Sequence, residues 1–296
     1  MELQETTTYN FNLQPAAVDW STQKTQVIVA APVAALALLA AAHFHVGFAA
    51  AALGVLDTVL VALITAEITG RFGNRLGTAP AVWAAVLYGV LLAKWIGPAT
   101  LESATTPLYL LGLFGYLRYR TTREKWLLRS GMAFFALSLF TSVSAASLPV
   151  VILLVELLLP KKDTPDRWVA VVLYFLTLLF VGSAFLLAPH MVPIIRERRL
   201  PSYDLQVLRT LVIPGAAATA VVAIWGAVKG QLGMLALVAS WMFVASSSAA
   251  LAAAPLAIGV STLALPAMYP LKKDTAKKVT IIGMIVLTAF AFLNIS

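Results

Sequence analysis

The stretch "LFTSVSAASLPVVILLVELLLP", from Leu139 to Pro160, decides how this chain is read. Its one formal charge is Glu156. Thr141, Ser142, Ser144 and Ser147 crowd its first half, Ser138 stands one step upstream, and Pro149 sits in its middle. Basic residues flank the longer apolar run 131–159: Arg118, Arg120, Arg123, Lys125 and Arg129 before it, Lys161, Lys162 and Arg167 after it. Short basic loops between apolar runs stay in the cytoplasm, so a run bounded by two of them must leave that side and return to it. Two limbs of about 13–15 residues reach roughly 20 Å each, less than the roughly 30 Å hydrocarbon core. Such limbs are tolerated where protein or a water-filled cavity covers their tips. The spacing predicts a short helical hairpin with the hydroxyl cluster at its tip, facing a polar cavity. The competing expectation is one long helix kinked ahead of Pro149, its serines packed against neighbouring helices.

The rest of the chain fits a bilayer. Sixty per cent of the residues are hydrophobic and only 11% charged, against roughly 25% charged in a soluble domain; mean hydropathy is +0.89. The apolar runs are continuous rather than alternating, which indicates helices and not a barrel. They fall at 26–42, 48–69, 79–97, 104–117, 131–159, 167–187, 207–227, 231–250, 251–269 and 279–293, after a polar tail at 1–25 that includes Lys24. The fold class expected is all-α: a polytopic integral membrane protein of about eleven passes, the hairpin counting as two. The tail lies in the cytoplasm and residues 26–296 form a single transmembrane helical domain. The net charge of +8 is read as topology, not as nucleic-acid binding. With no cysteine, thiolate chemistry and disulfides are excluded. His43 and His45 are two apart and face different ways on a helix; with His190 they make no metal site. No cofactor is expected.

Ionisable residues inside a membrane are costly and mark functional sites by default. Asp57 is the deepest, inside 48–69. Glu67 and Glu156 lie near cytoplasmic ends, where Arg71 and Lys161 are expected partners. Lys94 can extend to the outer interface. Glu102 lies in the following outer loop, and Asp57, Lys94, Thr141, Ser142 and Ser144 are candidates to line a cavity. One loop breaks the charge rule: "PIIRERRLPSYD", Pro193 to Asp204, puts Arg196, Arg198 and Arg199 outside. That cluster suits an anionic lipid head group or a lipid pyrophosphate, or is a solvated interfacial loop.

Segment 97–160 resembles the membrane half of the transmembrane-and-tetratricopeptide O-mannosyltransferases and their bacterial relatives, glycosyltransferases of GT-C type. "GPATLE" is similar to the family's His-Pro-x-x-x-Glu, keeping Pro98 and Glu102 with Gly97 in place of the histidine. "YLRYR", Tyr116 to Arg120, is similar to the end of the family's next helix. "TSVSAASLPVVILLVE" keeps Leu148, Pro149 and Glu156 in register, with Ser142 where the family has lysine. A fainter match keeps Leu263, Leu265 and Pro266, with Ser261, Thr262 and Ala264 in place of an arginine and two tyrosines. The resemblance spans 48–270. It implies a GT-C-like fold, a polyprenyl-phosphate lipid as partner, Glu102 as catalytic acid or base, and a bacterial inner (cytoplasmic) membrane as location. The family's large first outer loop, with its catalytic acid, is reduced here to about five residues, "HFHVG", between two spans.

These departures make a catalytically degenerate protein the leading expectation: a scaffold, a lipid-binding protein or an accessory subunit of a membrane complex, with other membrane-protein subunits as partners. An active lipid-sugar-dependent glycosyltransferase is the alternative, with the Arg196–Arg199 cluster holding the donor phosphate. A transporter using Asp57 and Glu102 is a third. Small-residue stretches such as "AALGVL", "PVAALALLAAA" and "AALAAAPLAIG" permit close helix approach, for a partner or for packing within the chain.

Overall fold

The computed structural model describes residues 48–70, 79–93, 104–158, 166–187, 232–246 and 248–268. These are helical, with no strand among them. The helices are α1 (Phe48–Gly70), α2 (Ala79–Ala93), α3 (Thr105–Thr122), α4 (Lys125–Thr141), α5 (Leu148–Leu158), α6 (Arg167–Leu187), α7 (Leu232–Val244) and α8 (Ala249–Met268), with a 3₁₀ turn at Val143–Ser147 between α4 and α5. Two of them, α1 and α6, contain apolar stretches long enough to cross a membrane, Ala52–Thr69 and Arg167–Ala184. The runs 26–42, 207–227 and 279–293, the tail 1–25, and the candidates Lys94, Glu102, Arg196, Arg198 and Arg199 lie outside the described residues.

The run 131–159 is not one kinked helix. Ser142 is extended (φ −160°, ψ 143°) and separates α4 from the 3₁₀ turn. Pro149 falls in the first turn of α5, where a missing N–H costs nothing, so it starts a helix and kinks none. Two sets of contacts fix the direction of travel. Thr141, at the end of α4, bonds Thr105 at the start of α3, Oγ1 to Oγ1 at 2.8 Å. The Ser147 hydroxyl, just before α5, lies 3.3 Å from the Tyr109 hydroxyl, also near the start of α3. Glu156, near the far end of α5, meets Tyr116 and Arg120 at the end of α3. The chain therefore runs down α4, turns at 142–147, and returns along α5.

α3 ends in a left-handed cap. Arg123 has φ 63°, and its N–H donates to the Tyr119 carbonyl at 2.7 Å. It is the one non-glycine residue with positive φ among the described residues, a conformation that costs roughly 1–2 kcal/mol. Glu124 is already extended, so two residues suffice to reverse the chain into α4. α3 and α4 then pack backbone to backbone. A Cβ on Gly115 would lie 2.9 Å from the Leu127 carbonyl oxygen and 3.0 Å from Gly131 Cα, and one on Gly131 would lie 2.5 Å from the Tyr174 hydroxyl. Only glycine permits that approach. The Tyr174 hydroxyl fills the gap and donates to the Gly112 carbonyl at 2.9 Å.

Around this pair α1, α2, α7 and α8 complete the core. Ile64, Tyr88, Tyr109, Leu113, Ile152 and Trp241 belong to one apolar cluster. The small-residue run of α8 serves packing inside the chain: Ala252, Ala253, Ala254 and Ala257 are buried, and a Cβ on Gly259 would meet Val238 Cγ1 at 2.6 Å. Buried threonines bond back along their own helices, Thr65 to the Val61 carbonyl at 2.7 Å and Thr262 to that of Ile258 at 2.8 Å. Their hydroxyls thereby need no outside partner.

Candidate functional site

Polar chemistry in the described core concentrates at the end where α3 stops and α4 and α6 begin. Arg118 and Arg120 both lie within α3, which extends past its apolar stretch through "YLRYR". Their sequence setting suggests solvated loop charges; instead both are buried, at 4% and 5% exposure. Two residues apart on a helix point roughly 200° apart, so they leave α3 on opposite sides, and each finds a carboxylate. Arg118 Nη1 lies 2.6 Å from Glu67 Oε1 of α1, and Thr121 donates to Glu67 Oε2 at 3.2 Å. Arg120 Nε lies 2.6 Å from Glu156 Oε1 of α5, and the Tyr116 hydroxyl donates to the same carboxylate oxygen. Among the described residues Glu67 and Glu156 thus pair with Arg118 and Arg120; Arg71 and Lys161, the partners expected from the sequence, lie outside the described residues. A helix interior admits a charge when a buried counter-charge neutralises it, and α3 is clamped on two sides in this way.

Beside the clamp opens a small cleft of about 70 Å³, lined by Tyr116, Tyr119, Arg120, Arg123, Lys125, Asp166 and Arg167. Its lining carries four cationic side chains and one acid, with Glu156 set behind Arg120. Partial burial first, and then the Asp166 carboxylate, push the Tyr119 phenol above its ordinary value while Arg123 pulls it down; it remains a neutral donor at physiological pH. Trp126 and Trp168, 62% and 45% exposed, stand at the same end. The Arg167 guanidinium lies 5.5 Å over the Trp168 ring.

The hydroxyl cluster sits at the other end and bonds largely within its own turn. Thr141 donates to the Ser138 carbonyl at 2.7 Å, Ser144 to Ser142 Oγ at 2.9 Å, and Ser147 to the Ser144 carbonyl at 2.9 Å. The hydroxyls close the 142–147 turn on itself, which is why they occur together. Asp57 lies apart from all these groups, on α1. It is buried at 4% exposure, and its Oδ1 meets no hydrogen-bond partner among the described residues. Thr58 beside it bonds its own helix, to the Gly54 carbonyl at 2.8 Å. Of the sequence candidates among the described residues, then, Thr141, Ser142 and Ser144 come together, while Asp57 lies away from them, near Tyr88. No set of three or more His, Asp or Glu among the described residues could hold a metal ion.

The Arg118–Arg120 clamp, the cleft beside it and the Gly112–Gly115–Gly131 contact escape a reading of the sequence alone. The available signals are the two arginines two residues apart just past an apolar run, and the glycines three apart in "GLFG". No family model, curated protein or solved structure matches the chain.

Proposed function

We propose that the chain is a polytopic membrane protein of GT-C-like ancestry that has lost glycosyl-transfer chemistry and serves as a lipid-associated scaffold or accessory subunit of a membrane complex. The observation that carries this reading is the use of the charges: Glu67 and Glu156 are each committed to a buried arginine of the same chain. Carboxylates locked in internal ion pairs hold helices together and are not free to serve as a catalytic base. Ser142, which replaces the family's lysine, shapes a turn.

Membrane location is supported by α6. Only 22% of its apolar span is buried, and Val172, Leu176, Leu179 and Phe180 form an exposed stripe along it. Water disfavours so long an apolar face, and lipid accepts it. Trp126 and Trp168 next to Lys125 and Arg167 fit an interfacial aromatic belt, and by the positive-inside rule that end is cytoplasmic.

The native chain has no cysteine, so single-cysteine labelling reports cleanly. Asp166→Cys in intact cells should react with a membrane-impermeant maleimide only after permeabilisation, and Glu102→Cys before it. The reverse pattern overturns the orientation. Purification in mild detergent followed by mass spectrometry should recover stoichiometric membrane-protein partners. A lone protein that transfers sugar from a polyprenyl phosphate, and stops on Glu102→Gln, would establish the enzyme instead. A second reading, a transporter, is favoured by Asp57, whose buried and incompletely partnered carboxyl is the kind of group that carries a proton or ion.

A further inference from the structure

We propose that the cleft at the end of α3 is a binding site for a phosphate group, with Arg120 at its floor and Arg123, Lys125 and Arg167 around it. It stands independently of the scaffold reading, which it uses only to suggest that the phosphate belongs to a lipid.

Arg120 is the decisive residue. It is 95% buried by its 5% exposure, yet it lines the cleft. Its Nε faces Glu156, while Nη1 and Nη2 have no hydrogen-bond partner among the described residues. A guanidinium has five donors in a rigid fork, and that fork matches two oxygens of a phosphate. Leaving two buried nitrogens unbonded is costly unless something in the cleft accepts from them. Three further cations line the same space, against the single carboxylate of Asp166. Tyr119 adds a neutral hydroxyl donor. Arg123 enters the lining from a left-handed backbone position that glycine would fill at lower cost. An arginine held there at a conformational cost suggests that its charge is used. A space of about 70 Å³ suits a phosphate group and not a sugar–phosphate, so the rest of the ligand extends outward through the opening.

A lipid head group and free phosphate present the same chemistry. The test is native mass spectrometry of the full chain in non-ionic detergent, with added phosphatidic acid, phosphatidylcholine or inorganic phosphate. Phosphatidic acid should bind in preference to phosphatidylcholine, whose quaternary ammonium meets an already cationic cleft. Arg123→Gly and Arg167→Gln should each weaken that binding roughly tenfold. Arg123→Gly should leave the melting temperature unchanged or raised, which separates lost binding from lost folding. Binding of phosphatidic acid that excess inorganic phosphate does not displace assigns the head group; displacement at millimolar phosphate assigns a soluble phosphate. The proposal is overturned if neither phosphatidic acid nor inorganic phosphate binds the wild-type chain above the phosphatidylcholine control, or if both variants bind as the wild type does.

Discussion

Replacing Arg120 by methionine tests the clamp on α3. Methionine keeps most of the side-chain volume and removes the charge. Glu156, at 1% exposure, then retains the hydrogen bond from Tyr116 but loses its counter-ion. Removing one member of a buried pair costs about 3–5 kcal/mol, because the remaining charge stays desolvated. Arg120→Met should therefore be among the most destabilising single changes in the described core. The double variant Arg120→Met/Glu156→Gln removes both charges, and the glutamine carbonyl still accepts from Tyr116. It should recover to within about 1 kcal/mol of wild type, since a buried pair and its neutral replacement are often close in energy. The assay is equilibrium unfolding by dodecyl sulfate in mixed micelles, followed by the fluorescence of the seven tryptophans. The four-way cycle isolates the coupling between the two positions. A single variant within about 1 kcal/mol of wild type, or a double variant as unstable as the single, would show that the pair is exposed or water-bridged, and the clamp would be refuted.

Gly115→Ala forces a Cβ against the Leu127 carbonyl oxygen and Gly131 Cα, backbone atoms that cannot swing aside. It should cost about 1–3 kcal/mol, whereas Gly182→Ala, with nothing within 4 Å of the new carbon, should be neutral or stabilise by up to about 1 kcal/mol; the same unfolding assay ranks them, and equal effects would contradict the close α3–α4 approach. If the protein is a scaffold, Asp57→Asn leaves partner recovery and stability intact, because it removes a buried acid that meets no cation among the described residues. If it is a transporter, the same change abolishes pH-gradient-driven uptake in proteoliposomes. The Tyr119 phenol, raised above its ordinary 10.0, favours the neutral form in the folded protein. Its contribution to stability is complete below that value and is lost as pH rises through the higher folded value. The tyrosinate absorbance lost on Tyr119→Phe should accordingly titrate above pH 10.0, and a midpoint at or below it would place the ring in free solvent.

Glu67 and Glu156 show how far sequence reading reaches. Both are legible as acids that need a cation, since a carboxylate in an apolar run has few other options. The cations nearest in sequence are the natural guess and lie outside the described residues; the partners seen among the described residues are 51 positions away for Glu67 and 36 for Glu156. Helix packing decides that choice. The same division separates the hydroxyl cluster from the cleft. Hydroxyls gathered around a short break satisfy one another locally, so residues 138–147 announce a turn by composition alone. The cleft draws on the end of α3, the start of α4 and the start of α6, and no one segment carries its pattern.

Composition by itself pointed to apolar helices, because hydrophobic runs that are continuous and not alternating, with 11% charge, fit helices and not strands, and the described residues are helical. The paired basic flanks raised the expectation that 131–159 doubles back, against one long kinked helix, and the contacts of α4 and α5 with α3 chose between them. Tertiary structure alone decided which carboxylate each arginine meets. Arg118 and Arg120 differ by two positions and share one helix, yet a rotation of roughly 200° sends one to Glu67 of α1 and the other to Glu156 at the edge of a cleft. That difference is one of direction in space, and direction is fixed only when the helices pack.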